Sequence, residues 1–302
     1  MKFLSYNIQY GIGLDENYDL PRVAEVLEDA DVIALQEVER HWSRTNDDDQ
    51  VARLAEMLPE FHWVFGAGFD TDASYRDGDG RLVNKRRQFG CMLMSRLPIV
   101  WSRCHIWPHR RTITPYNMQG QALEGMIRTP WGPIRVLSMH LSHIGAEERL
   151  SQIAFMQARH RDTPFDGGAW CGSDEDEDGD WEAGETAPEN PLAAVWMGDF
   201  NATPDSEEYQ RMTGRSPYYP VALHSDGFVD STVAAGHDKH AFISHEGPDG
   251  DGSMHRRRLD YCFVGAELVP LVTKMWVDED EIASDHKPVW TEIDLDRPFN
   301  KD

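Results

Sequence analysis

The sequence predicts a single α/β domain built from layered sheets and helices. Three observations support this: the chain has 302 residues, 40% of them are hydrophobic, and strand-like segments alternate with helix-like ones throughout. This length is ordinary for one α/β or α+β enzyme domain. No internal repeat and no Pro- or Ser-rich linker divides the chain, so we expect residues 1–302 to share one large core.

Short apolar runs predict the strands, and apolar residues at helical spacing predict the helices. Pro21 favours the start of the first helix. The predicted helices are residues 20–27, 50–58 and 146–160. The predicted strands are residues 2–7, 32–35, 62–65, 90–94, 134–141, 193–197, 228–230, 241–244, 259–264, 268–277 and 288–293.

The start of the chain and its cysteines predict a soluble, cytoplasmic protein. Residues 1–10 contain one Lys and no long apolar stretch, which favours a first strand over a secretory signal. No segment approaches the roughly 18 apolar residues that a transmembrane helix needs. The four cysteines are far apart and form no CxxC pair, so we expect reduced thiols and neither a zinc site nor a disulfide framework.

The charge balance excludes one class of partner. The chain has 29 basic and 53 acidic residues, a formal net charge of −24. A protein that coats nucleic acid non-specifically needs the opposite sign, so we do not expect that function. A phosphate substrate remains compatible with this charge if metal ions and local basic residues offset it, and solubility alone also explains the acidity. The sequence does not identify protein partners.

An acid- and Gly-rich segment spans residues 166–191. A loop of this length is usually functional or disordered. Four of its carboxylates have the spacing of a calcium-binding loop, in which alternate acids and a turning Gly surround the ion: Asp174, Asp176, Asp178 and Glu185. The flanking residues do not resemble the helices of an EF-hand. Bound Ca²⁺ and a merely solvated loop are therefore both interpretations of this segment.

Several predicted strands end in polar residues suited to catalysis. A rigid scaffold commonly holds catalytic groups at such positions. On its own, any one of these Asp residues could instead serve in a turn or as a helix cap. Any one His could instead be a hydrogen-bonded core residue. Together they form an unusual set: Asn7, Glu37, His140, Asp199, Asn201, Asp260, Asp285 and His286.

Five short motifs contain most of these residues. They are Ser-Tyr-Asn-Ile at 5–8, Ala-Leu-Gln-Glu-Val at 34–38, Met-Gly-Asp-Phe-Asn at 197–201, Arg-Leu-Asp-Tyr at 258–261 and Ser-Asp-His at 284–286. In this order they resemble the endonuclease/exonuclease/phosphatase superfamily of metal-dependent phosphoesterases, which includes deoxyribonucleases, abasic-site endonucleases, inositol polyphosphate phosphatases and neutral sphingomyelinases. The resemblance extends from residue 3 to about residue 293. It implies a four-layer α/β/β/α sandwich with the active site at one edge of two packed sheets.

The resemblance also implies a metal site. Glu37 is expected to be the principal ligand of Mg²⁺ or Mn²⁺, which are hard cations that prefer oxygen ligands. Asn7 would add an amide oxygen and Asp285 a further carboxylate. Two departures from the family pattern occur. Gln9 stands where some relatives have a carboxylate, which makes a two-metal site less expected, and Cys91 stands where many relatives have Asn.

The remaining motif residues are expected to act on water and phosphate. Asp199 would orient or deprotonate the attacking water, and Asn201 would donate a hydrogen bond to the phosphate. His286, oriented by Asp260, would be a general base or a protonated phosphate ligand. Whether Asp199 or His286 takes the proton stays open. His140 would lie near the leaving group or a non-bridging oxygen.

Basic residues are few, and two Arg runs border the motifs. Arg87 and Arg258 belong to runs at 85–87 and 256–258, which could form a cationic rim for phosphate. The alternative is that they are surface arginines that offset neighbouring acids. His143, three residues after His140, is a further candidate substrate contact.

Metal-dependent hydrolysis of a phosphoester is the function that these residues predict. The net charge of −24 narrowly favours a small-molecule or lipid phosphoester, and a nuclease for DNA or RNA is the alternative. An inactive binding scaffold is the alternative from another class. Every expected catalytic position holds a chemically competent residue, which argues against a scaffold.

Overall fold

The computed structural model describes residues 1–173, 181–182, 184–214, 223–248 and 253–296. Within these residues the chain forms sixteen strands: β1 (Lys2–Asn7), β2 (Val32–Arg40), β3 (His62–Asp72), β4 (Tyr75–Arg76), β5 (Leu82–Val83), β6 (Arg86–Ser95), β7 (Ile99–Ile106), β8 (Gln121–Arg128), β9 (Pro133–His140), β10 (Ala194–Asp199), β11 (Phe228–Asp230), β12 (His245–Pro248), β13 (Met254–Arg257), β14 (Asp260–Gly265), β15 (Val272–Val277) and β16 (Val289–Ile293).

The α-helices of the described residues are α1 (Leu20–Leu27), α2 (Gln50–Met57), α3 (Ala146–Asp162), α4 (Glu207–Thr213) and α5 (Ser231–Ala234). Side-chain caps start the first two, because Asp19 accepts the N–H of Arg22 and Asp49 accepts that of Ala52. Among these residues, no helix combines the length and apolar character that crossing a bilayer requires.

Two large sheets pack face to face. The first has the strand order β15-β16-β1-β2-β6-β3 and the second the order β11-β14-β10-β9-β8-β7. The core between them is apolar and takes residues from both: Phe3, Ala34, Leu93, Val136, Val195 and Val264. The residues that neighbour these core residues in sequence point to the opposite face of each sheet, because side chains alternate along a strand.

Helices cover the outer face of each sheet. On the first sheet, α1 and α2 pack against the strands through Leu20, Leu27, Leu54, Leu4 and Leu35. On the second sheet, α3 and α4 pack through Ile153, Met156, Met212, Leu137 and Trp196. The order of layers is therefore α/β/β/α, which confirms the predicted fold class.

The strand directions gather polar residues at one edge of the sandwich. β1 runs parallel to β2, and β9 runs parallel to β10. The two pairs are joined across the sheets: the Ser138 hydroxyl donates to Leu35 O at 2.8 Å, and Gln36 Nε2 donates to Ser138 Oγ at 2.9 Å. The carboxyl ends of these strands therefore lie together, and they carry Asn7, Glu37, His140 and Asp199.

In the last third, one strand prediction is wrong and another starts four residues too early. Residues 241–244 form a loop, because the Glu279 carboxylate takes the Ile243 N–H at 3.0 Å and strand pairing begins only at His245. Residues 268–271 belong to a 3₁₀ turn, Ala266–Leu271, which contains Pro270, and β15 begins at Val272. Pro lacks the N–H that a strand ladder needs.

The sequence patterns also missed β7 and β8. In β8, Glu124 and Gly125 interrupt the apolar run. Glu124 is nevertheless buried, because Arg135 Nη1 lies 2.6 Å and His105 Nε2 2.7 Å from its carboxylate. Burial raises the pKa of Glu124, but these partners outweigh it and lower the pKa to about 2. Partners on neighbouring strands are invisible in a single-strand pattern.

The acidic segment is tied to the second sheet at its C-terminal end. Trp101 Nε1 donates to Glu189 O at 2.9 Å, and Arg135 Nε donates to Pro191 O at 2.6 Å. Three of the residues of the calcium-loop pattern, Asp174, Asp176 and Asp178, lie outside the described residues. The calcium site therefore stays a prediction.

Candidate active site

Glu37 lies where a β-bulge interrupts the pairing of β2 with β6. The register shifts between Leu35 and Val38, and Glu37 has a φ of 60°. A bulge re-aims a side chain out of the regular alternation of its strand. The Glu37 side chain is 19% exposed, and its Oε1 accepts a hydrogen bond from Asn7 Nδ2 at 3.1 Å. It therefore stands at the open side of the site.

Asn7 lies at the centre of the site. Its Nδ2 donates to Asp199 Oδ2 at 3.1 Å as well as to Glu37, and its Oδ1 accepts the N–H of Gln9 at 3.0 Å. The side chain thus holds two carboxylates in place. The expected role as a metal ligand requires a half-turn of the amide, which exchanges its nitrogen and oxygen.

The turn after β10 positions Asp199 and Asn201. Gly198 has a φ of 152°, and a Cβ there would lie 1.8 Å from Met139 O, so only Gly lets β9 approach this closely. Asp199 Oδ1 accepts the N–H of Asn201 at 2.8 Å. The Asn201 amide donates to Leu141 O at 3.0 Å and lies 3.4 Å from Asp199 Oδ2.

Asp260 and His286 form a buried pair. His286 Nδ1 is 2.8 Å from Asp260 Oδ2, and the Ser244 hydroxyl donates to the same oxygen at 2.7 Å. Burial alone would lower the pKa of His286, but the charges of Asp260 and Asp199 outweigh it and raise the pKa to about 10. The two carboxylates therefore favour the imidazolium form of His286.

Two imidazoles flank one oxygen of Asp199. Nε2 of His286 and Nε2 of His140 each lie 3.6 Å from Asp199 Oδ2. His140 Nε2 is also 3.9 Å from Glu37 Oε1. The structure thus brings together the carboxylates, the amide and both histidines that the sequence motifs suggested.

Sequence reasoning missed two further histidines beside Asp285. His245 begins β12, and its Nε2 is 3.6 Å from Asp285 Oδ2. His255, on β13, has its Nε2 3.0 Å from His245 Nδ1. Burial raises the pKa of Asp285, but His245 and His286 outweigh it and lower the pKa. The available signal was a pair of His residues just before the Arg-Leu-Asp-Tyr motif.

Two groups of residues have ligand atoms close enough to hold one metal ion. Within each group, these atoms lie within 4.8 Å of one another; the groups are His245, Asp285 and His286, and Asp199, Asp260 and His286. In the second group, Asp260 and His286 are buried and bonded to each other. Because these two side chains bond to each other, they have few free ligand atoms for an ion. The more open side of the site is therefore the better candidate for a metal site.

The carboxylates on that side fit a hard divalent cation. Glu37 and Asp285 are 19% and 24% exposed, which leaves room for an ion and its waters. Burial raises the pKa of Tyr10, and the negative charges of Glu37 and Asp285 add to this rise. Gln9, which stands where some relatives have a carboxylate, adds no charge here.

The three predicted substrate contacts have different surroundings. Arg87 is exposed on β6 and lies 5.7 Å from the Trp42 ring. His143 is exposed, with Nε2 3.2 Å from Tyr116 O. Arg258 requires a correction: it is 3% exposed, and both its terminal nitrogens pair with Asp230 at 2.8 Å. Its charge is used inside the protein and is not presented to a phosphate.

Cys91 fills no polar role in the site. It is 2% exposed and packs with the core between the sheets. Burial raises the pKa of its thiol to about 12, so it stays protonated. The Asn of the family pattern has no substitute at this position.

Comparison with solved structures shows the same fold in several proteins. An endonuclease/exonuclease/phosphatase from Beutenbergia cavernae is 22% identical, with a TM-score of 0.63 over 96% of this chain and 70% of that one. A mannosyl-6-phosphatase from Bacteroides thetaiotaomicron is 17% identical, with a TM-score of 0.56 over 97% and 99%. D. rerio TDP2 in complex with a single-strand DNA product is 16% identical, with a TM-score of 0.55 over 96% and 97%.

No curated protein matches the sequence significantly. The family model for the Endonuclease/Exonuclease/phosphatase family matches residues 4–286, which is nearly the whole chain. The fold, the site and this match agree. The chain belongs to the Endonuclease/Exonuclease/phosphatase family, whose members are hydrolytic phosphoesterases.

Proposed function

We propose that this protein hydrolyses a phosphoester with the aid of a bound Mg²⁺ or Mn²⁺. The observation that carries the proposal is the setting of Asp199 Oδ2, which lies 3.1 Å from Asn7 Nδ2 and 3.6 Å from both His140 and His286. A carboxylate fixed among donors, and 2% exposed, is suited to orient a water molecule and take its proton.

In the reaction, the water oxygen forms a bond to phosphorus as the bond from phosphorus to the ester oxygen breaks. The ester oxygen leaves with the electron pair and is protonated by solvent water. Asp199 takes the proton of the attacking water and then releases it to solvent. The charges of Asp260 and Asp199 outweigh burial and raise the pKa of His286, so we assign His286 as a protonated phosphate ligand and Asp199 as the base.

Glu37 and Asp285 are the residues that would hold the metal ion. The ion, when bound, supplies positive charge that offsets the charge developing on the phosphate oxygens. Asn201 would turn its amide from Leu141 O to a phosphate oxygen. His140, on the other side of Asp199, would meet the leaving oxygen.

A small-molecule or lipid phosphoester is the substrate class that we favour. The net charge of −24 repels a polyanion, and Arg258, one of the few candidate phosphate contacts, is engaged by Asp230. The alternative is a nuclease, which the likeness to D. rerio TDP2 with its single-strand DNA product favours. An inactive scaffold would not need the donor arrangement around Asp199.

A substrate panel with a metal titration tests the proposal. Wild type should hydrolyse a model phosphodiester or phosphomonoester with Mg²⁺ or Mn²⁺ and lose this activity in EDTA. Glu37→Gln removes a ligand charge, so we expect Mn²⁺ affinity, measured by calorimetry, to fall about 10- to 100-fold, and turnover at fixed Mn²⁺ to fall with it. Glu56→Gln, on α2, is a control expected to bind Mn²⁺ like wild type. Unchanged Mn²⁺ affinity in Glu37→Gln would remove Glu37 from the metal site.

A further inference from the structure

A cleft opens beside His140. Aromatic and aliphatic side chains form much of its wall: Phe89, Trp107, Met118 and Leu141. The Phe89 ring is 6.4 Å from the His140 ring, so the cleft is continuous with the active site on its His140 side.

Hydrogen bonds to the backbone hold the polar wall residues in place. Gln119 Nε2 donates to Trp107 O at 2.9 Å, and Gln121 Nε2 donates to Gly66 O at 2.8 Å. Gln152 Oε1 accepts the N–H of Ser142 at 2.9 Å. The Trp107 indole donates to His140 O at 3.1 Å, which ties the wall directly to the catalytic strand. The cleft is therefore formed before any ligand binds.

Among the described residues of the cleft wall, none is Lys, Arg, Asp or Glu, and its basic groups are the imidazoles of His140 and His143. The Glu148 carboxylate lies behind the wall, 3.3 Å from Asn117 Nδ2. Two arginines close in sequence to the wall have other partners: Arg87 Nε donates to His41 O at 3.3 Å, and Arg110 pairs with Glu147 at 2.9 Å. A second phosphate or a carboxylate entering the cleft would find no Lys or Arg in the wall, so desolvating it would be unfavourable.

We propose that this cleft binds the leaving group of the substrate, and that this group is an uncharged, partly apolar alcohol. The assignment rests on the proposed function and specifies its substrate class. His140 stands between Asp199 and the cleft, so an ester oxygen beside His140 directs its organic group onto Trp107 and Phe89. The same chemistry disfavours a nucleic-acid strand in this position, because a leaving nucleotide carries further phosphates.

The experiment compares two methyl phosphodiesters with Mn²⁺: one releases para-nitrophenol, and the other releases the same phenol with a ring carboxylate. Wild type should prefer the neutral leaving group in kcat/KM. Met118 is half-buried in the wall. Met118→Lys should shift the ratio toward the carboxylated substrate about fivefold, and Met118→Glu should shift it the other way, by interaction across an intermediate dielectric.

Phe165→Lys is the matched control. Phe165 is 89% exposed and follows the C-terminal end of α3, whose 17 residues span about 25 Å from the loop at the cleft. The ratio of kcat/KM for the two substrates should be the same in Phe165→Lys as in wild type. Equal ratios in wild type, Met118→Lys and Met118→Glu would overturn the cleft assignment while leaving the hydrolase intact. Failure of wild type to cleave either diester would overturn the proposed function and this assignment with it.

Discussion

At the residue scale, His286 holds its proton because two carboxylates outweigh its burial. Asp260 contacts Nδ1 at 2.8 Å and Asp199 lies 3.6 Å from Nε2. A raised pKa in the folded state means that the pair stabilises the fold fully below the unfolded pKa of about 6.5, and that this stabilisation is lost as pH rises toward 10.

This linkage predicts a pH effect on stability. The free energy of unfolding of wild type should fall between about pH 6.5 and pH 10, and Asp260→Asn should flatten that fall because the pKa of His286 drops. Guanidinium unfolding across this range measures both curves, and an NMR titration of His286 reads its pKa directly. A His286 pKa unchanged in Asp260→Asn would show that Asp260 does not hold the proton.

At the element scale, the site depends on how closely parallel strands approach each other. Gly198 on β10 faces Met139 O on β9, and the two strands end in Asp199 and His140. Separating the strands would therefore move both of the proposed catalytic groups.

Gly198→Ala should lower the free energy of unfolding by about 2 kcal/mol or more, since a Cβ would lie 1.8 Å from Met139 O. Gly132→Ala is a matched control: Gly132 has a φ of 151°, but a Cβ there meets no atom within 4 Å. The difference between the variants in chemical denaturation isolates the clash. An equal loss of stability in the two variants would mean that backbone strain, and not the clash with Met139 O, causes the loss.

The sequence predicted these strand ends well because their apolar runs stop at polar residues within short motifs. It failed where a side chain's partner lies far away in sequence. β8 is not predicted because Glu124 interrupts its apolar pattern. The partners that allow Glu124 to be buried, Arg135 and His105, lie on other strands. The Arg run beside the Arg-Leu-Asp-Tyr motif predicts that Arg258 contacts phosphate, whereas its partner in the structure is Asp230. His245 joins the site through an antiparallel bridge to His286, which lies far away in sequence.

At the scale of the whole molecule, the net charge of −24 acts on every anionic substrate. Salt screens repulsion between an acidic protein and an oligonucleotide. If single-stranded DNA is cleaved at all, kcat/KM should stay level or rise between about 50 and 200 mM NaCl. An enzyme with a cationic nucleic-acid groove loses affinity steeply over this range. A steep loss here would point to such a groove and to the nuclease alternative.

The central claim is that Asp199 activates water in a metal-dependent hydrolysis. The most direct test is turnover of a phosphoester with Mn²⁺ by wild type and by Asp199→Asn, which keeps the shape of the side chain and removes its basicity. We expect turnover to fall about a thousandfold with little change in unfolding temperature. Turnover equal to that of wild type in the folded variant would contradict the account.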